Sequence, residues 1–239
     1  MVIIVVPGNW GESVPQDVAA VVRNVTDHLN PPFATQPTGC LHVVSRPNSN
    51  PEMAYRASRK DPYIMFVNAP DRLWAKLTYQ SAHEYCHILS AYESLRTPGN
   101  QWFHEAICEM ASFFCLFHMS ESWKMNAPYP NWAVYAPHLK AYAEEMMNKA
   151  GGGLPAGKSL KIWMEENRQA LRGDPYLRDL NRVVAVQLLP LFQKTPEIWE
   201  CVAHMPDTDS DFEGFLAMWE EKVSMNHRCY VESIAKLFA

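Results

Sequence analysis

The pattern of apolar and polar positions changes character near residue 71. Ahead of it lie three short apolar runs, 2–6, 41–45 and 63–67, each bounded by Pro, Gly, Asn or Asp. Runs of this length with such flanks predict strands, the first of them buried. Between the first two, Val18, Val21, Val22, Val25 and Leu29 recur at three- and four-residue spacing and predict a helix over 15–28, which Asn30-Pro31-Pro32 stops. The stretch from Pro47 to Pro51 reads as a loop. Asn68-Ala69-Pro70-Asp71 is helix-start chemistry, and beyond it the helical period takes over. Helices are predicted at 71–94, 102–125, 132–149, 158–172, 177–193, 196–204 and 209–237. The breaks fall at Pro98-Gly99, Pro128, Pro130, Gly173-Asp174-Pro175 and Pro206, and the run from Gly151 to Gly157 is the best candidate for a mobile hinge or surface loop. The expected fold is α+β in a single domain, 1–239. A small strand/helix half (1–95) precedes a larger all-helical half (96–239), with one cleft between them.

Two of these helices carry the chemistry. Over 71–94, apolar or small residues fall at Trp74, Leu77, Ser81, Tyr85, Ile88 and Tyr92, a stripe at helical spacing. His83 and His87 lie roughly opposite it, about 40° apart around the axis. Two imidazoles on one face suit a zinc ion, and Glu84 between them is placed to take a proton from a bound water. The next helix repeats the plan. Phe103, Ile107, Met110, Phe114 and Phe117 form its stripe, and Glu105 and Glu109 sit opposite, four apart. Residues 106–119 are apolar almost all round, which predicts burial on most sides. Buried carboxylates are costly without a positive partner, and no Lys or Arg occurs between Arg96 and Lys124. A zinc ion (Zn2+) in its histidine shell supplies that charge.

The stretches His83-Glu84-Tyr85-Cys86-His87 and Trp102-Phe103-His104-Glu105-Ala106, running on to Ser112, together resemble the gluzincins. These are zinc metallopeptidases of the thermolysin and zinc-aminopeptidase kind. The resemblance is specific over about 71–115. It implies a zincin-like fold with His83, His87 and Glu105 as metal ligands and Glu84 as general base. Glu109 then holds a ligand histidine through a hydrogen bond, and 63–67 serves as an edge strand along which an extended peptide lies. His104 is the alternative third ligand, although it points about 100° away from Glu105. The aminopeptidase signature Gly-x-Met-Glu-Asn is absent. Position 93 is Glu, so the longer motif with a third histidine is absent too. For the transition-state donor that such enzymes supply from their helical part, Tyr176 is the first choice, with Tyr135 and His138 as rivals.

Composition narrows the field only a little. A net charge of −5 argues against a nucleic-acid binder. No run approaches the ~20 apolar residues that span a bilayer, and 2–6 is too short for a signal segment. The six cysteines include no C-x-x-C pair; Cys86, Cys108 and Cys115 read as small buried hydrophobes, and reduced thiols favour the cytoplasm. Trp163, Trp199 and Trp219 read as core, and the charges over 165–172 as a solvated helix face. The expectation is a soluble zinc peptidase with a peptide or protein as substrate. Its competitors are a zinc-stabilised peptide-interaction module without turnover, a hydrolase of non-peptide amides or esters, and a protein that binds no metal.

Overall fold

The computed structural model describes residues 1–54, 56–90, 97–149 and 153–239. Among the described residues helices dominate, with one small sheet. The sheet comprises β1 (Val2–Val5), β2 (Cys40–Ser45), β3 (Glu52–Ala54) and β4 (Tyr63–Val67), in the spatial order β1-β2-β4-β3. β1, β2 and β4 are parallel neighbours, registered through Ile3 with Leu41 and Val43 with Met65. β3 runs antiparallel against β4, Met53 opposite Met65. Parallel pairing of β1 and β2 requires a crossover, and α1 (Pro15–Leu29) makes it. Proline at the first helical position starts α1; Val18, Val21, Val22, Val25 and Leu29 are all fully buried.

Two expectations about the sheet are corrected. The run 2–6 is not a buried strand: β1 is an edge, and Val2 and Ile4 keep 60% and 41% of their exposure. Strand 63–67 is not an edge, because β3 covers its outer side. Glu52-Met53-Ala54 spans one and a half pleats, too few residues for an alternating pattern to show in the sequence.

After the sheet come α2 (Trp74–Leu89), α3 (Gln101–Asn126), a 3₁₀ turn (Pro130–Tyr135), α4 (Ala136–Asn148), α5 (Leu160–Gly173), α6 (Arg178–Lys194), α7 (Ile198–Val202), α8 (Phe212–Lys222), a second 3₁₀ turn (Met225–His227) and α9 (Arg228–Ala235). Local caps mark several starts: Ser159 accepts the Ile162 N–H ahead of α5, and Asp211 the Gly214 N–H ahead of α8. The predicted single helix over 209–237 is two, because Val223 and Ser224 are extended (ψ 158° and 154°). The end of the predicted 71–94 helix, and residues 150–152 at the start of the glycine-rich loop, lie outside the described residues.

The protein gathers into two compact units, residues 1–88 with 111–145 and residues 89–110 with 146–239. In the first, Asn24 accepts the indole N–H of Trp123 at 2.6 Å, tying α1 to α3, and Tyr85 donates to Asn30 Oδ1 at 2.6 Å. Gln80 of α2 accepts the N–H of Asn68 at 2.8 Å, and its own NH2 reaches the Asn68 carbonyl at 3.4 Å, clamping the end of β4. In the second, Phe103 meets Phe212, Phe215, Trp219 and Phe238 at ring separations of 5.1 to 6.1 Å. Trp163, Trp199 and Trp219 are buried, as their apolar helical positions predict.

Candidate metal centre

Helix α2 is buried around nearly its whole circumference. The face opposite the apolar stripe is as dry as the stripe itself: His83 is 5%, Glu84 3% and His87 8% exposed. The imidazoles of His83 and His87 stand 5.0 Å apart between centroids, nearly edge to face at 77°, as a four-residue spacing on a helix dictates. In α3 every residue from Trp102 to Leu116 is buried, in line with the apolar run over 106–119. Glu105 is 8% and Glu109 1% exposed.

The ligand atoms of His83, His87 and Glu105 all lie within 4.8 Å of one another. Two imidazole nitrogens and a carboxylate oxygen are a donor set zinc takes, with bonds near 2.0–2.2 Å and tetrahedral donors therefore roughly 3.4 Å apart. Side-chain rotations of about an ångström close that gap.

Arg182 is the residue that sequence reasoning missed. Its Nε donates to Glu109 Oε1 at 3.2 Å, and its Nη1 to Asp179 at 2.9 Å. A cation facing Glu109 thus comes from α6, seventy-three positions further on, where the sequence pointed to a zinc ion. A signal was present: Asn181 and Arg182 sit among Val183, Val184, Ala185 and Leu188 on the buried side of α6, where a charge calls for a partner.

His104 stands outside the cluster of metal-competent donors. Its ring faces Phe215 at 6.3 Å, and burial, slightly opposed by Asp207, pushes its pKa down to about 3, so it is a neutral imidazole. The three candidate donors scatter. Tyr176 is 64% exposed and His138 is exposed. The Tyr135 hydroxyl accepts the N–H of Ala75 at 3.3 Å, eight residues and about 12 Å along the axis from His83.

No protein-family model, no curated protein and no solved structure matches this protein.

Proposed function

We propose that this protein is a zinc-dependent hydrolase of peptide bonds, of the gluzincin type on a zincin-like fold. The observation that carries the reading is the buried convergence of His83, His87 and Glu105, with Glu84 next to His83 on α2 and itself buried. His83, His87 and Glu105 hold the ion. Zinc, when bound, supplies a Lewis acid that acidifies water and polarises a carbonyl. Glu84 takes the proton from the attacking water and passes it to the leaving amine. Its low exposure keeps that carboxylate out of bulk solvent, which limits loss of the proton to water. Glu109, fixed by Arg182, steadies α3 one turn beyond Glu105. Cys40, Cys86, Cys115, Cys201 and Cys229 stand as thiols, which fits the reducing cytoplasm.

The same burial favours a second reading, a zinc-stabilised peptide-interaction module without turnover, since four side chains at 3 to 8% exposure describe a closed structural site as readily as an open catalytic one.

The deciding experiment starts from metal content of the purified protein. Wild type and Glu84→Gln are then compared on a proteome-derived peptide library. The hydrolase reading expects one zinc per molecule in both proteins and cleavage by wild type, with Glu84→Gln slower by about 10²–10⁴-fold. One zinc, no cleavage and unfolding on chelation establish the module instead. A protein that holds no zinc defeats both.

A further inference from the structure

A hollow of about 470 Å³ opens on the surface of the first unit, away from the metal cluster. Three segments build it. Val14, Gln16 and Asp17 come from the start of α1, and Arg72 from the residues just ahead of α2. Tyr129, Asn131 and Trp132 come from the first 3₁₀ turn. That volume is within the range of pockets that hold small molecules, and the hollow is open to solvent, with Gln16, Arg72, Tyr129 and Asn131 exposed. Trp74, which begins α2, lies nine residues from His83, about 14 Å along the axis.

Its aromatic wall is built in advance. Trp132 stacks on Trp74 at 4.8 Å and 27°, leans on Trp123 at 5.7 Å, and meets Tyr129 edge-on at 4.8 Å. Trp74 and Trp123 behind it are buried, so the indole of Trp132 is held in place. The polar lining is different. The side chains of Gln16, Asp17, Arg72 and Asn131 make no hydrogen bond or ion pair with any described residue. One carboxylate and one guanidinium thus share a hollow without neutralising each other.

We propose that this hollow binds a zwitterionic α-amino acid with an apolar side group. A ligand of single charge meets one complementary group and one of its own sign; a zwitterion satisfies both. Its carboxylate suits the guanidinium fork of Arg72, and its ammonium the half-buried Asp17. The amides of Gln16 and Asn131 offer donors and acceptors to the remaining polar atoms. The apolar side group lies against Trp132, Tyr129 and Val14. This site stands whether or not the metal reading does, because it shares no residue with the cluster.

The full-length protein, labelled with ¹⁵N, is titrated with L-phenylalanine and with two half-ligands, 3-phenylpropionate and phenethylamine. The expected result is a saturable shift of the Trp132 indole N–H with L-phenylalanine, and at least tenfold weaker binding of either half-ligand. Asp17→Asn and Arg72→Gln each weaken L-phenylalanine at least tenfold while circular dichroism stays unchanged; Arg72 precedes the helix, so its replacement leaves α2 intact. The proposal is overturned by the absence of saturable shifts up to about 10 mM, by a half-ligand that binds as well as the amino acid, or by binding that survives both substitutions.

Discussion

Arg182 Nε lies 3.2 Å from Glu109 Oε1, and both side chains are almost without solvent, at 4% and 1% exposure. Removing one member of a buried ion pair strands the other, at a cost of about 3–5 kcal/mol. Glu109→Leu and Arg182→Met are each expected to lower the unfolding free energy, read by chemical denaturation, by that much. The double substitution, which removes both charges, recovers most of the loss. Equal and additive losses in the double-mutant cycle would dissolve the pair as an energetic unit. Asp179, the second partner of Arg182, is 65% exposed, so Asp179→Ala costs under about 1 kcal/mol.

A zinc ion at the proposed site would link metal to fold through His83, His87 and Glu105. Zinc at a thousand times its Kd adds about 4 kcal/mol to stability by mass action, so chelation should lower the thermal midpoint by several degrees. His83→Ala, His87→Ala or Glu105→Gln should abolish the difference between the zinc-loaded and chelated proteins in calorimetry. His104→Ala should leave it in place, since His104 lies outside the donor group.

Acid should loosen the first unit. Burial, and then the neighbouring His118, push His28 down to about 4, and burial lowers His118 as well. In the unfolded state both titrate near 6.5. Below that value the unfolded state takes up more protons, so stability is full above about pH 6.5, falls as the pH drops towards 4, and loses nothing further from His28 below that. His28 keeps part of its surface in water, so its share is about 1–2 kcal/mol after screening. His28→Gln, which keeps a polar group facing Ser122 (3.1 Å from His28 Nε2), should flatten the dependence of unfolding free energy on pH between 7.5 and 5 by that amount relative to wild type.

Gly11 has φ +61°, and a Cβ there would collide with Asp71 Oδ1 and sit 2.9 Å from its backbone nitrogen. Asp71 is the anchor of this loop: it accepts the Glu12 N–H, its N–H reaches the Trp10 carbonyl, and Ser13 donates to its carbonyl. Gly11→Ala combines a left-handed backbone with a clash and should cost more than about 2 kcal/mol. Equilibrium denaturation reads it directly. A loss under half that would mean Asp71 can step aside.

How far the sequence reached depends on the range of the interaction. Periodicity within one element was enough for α1, β2, β4 and the all-round burial of α3, because each pattern repeats inside its own segment. It failed for β3, where three residues pair with Met65 and its neighbours and nothing local marks them. It also ran past Val223, which is buried and extends the apolar stripe of α8 while its backbone leaves the helix. At the candidate metal group, the four-residue spacing brought His83 and His87 to one helix face, with Glu84 beside them. The guanidinium of Arg182 reaches Glu109 from a helix seventy-three residues away, and only packing reveals it.

Gln80 offers its amide oxygen and NH2 to the N–H and carbonyl of Asn68, as a neighbouring strand's peptide group would. The sheet is therefore completed at that corner by a borrowed amide belonging to the histidine-bearing helix, three residues ahead of His83. Whatever stiffens α2 around the histidines stiffens the last rung of the sheet with it. The amide proton of Asn68 becomes a reporter placed by the fold: its exchange with solvent should slow when zinc is added, and should cease to respond in Gln80→Ala.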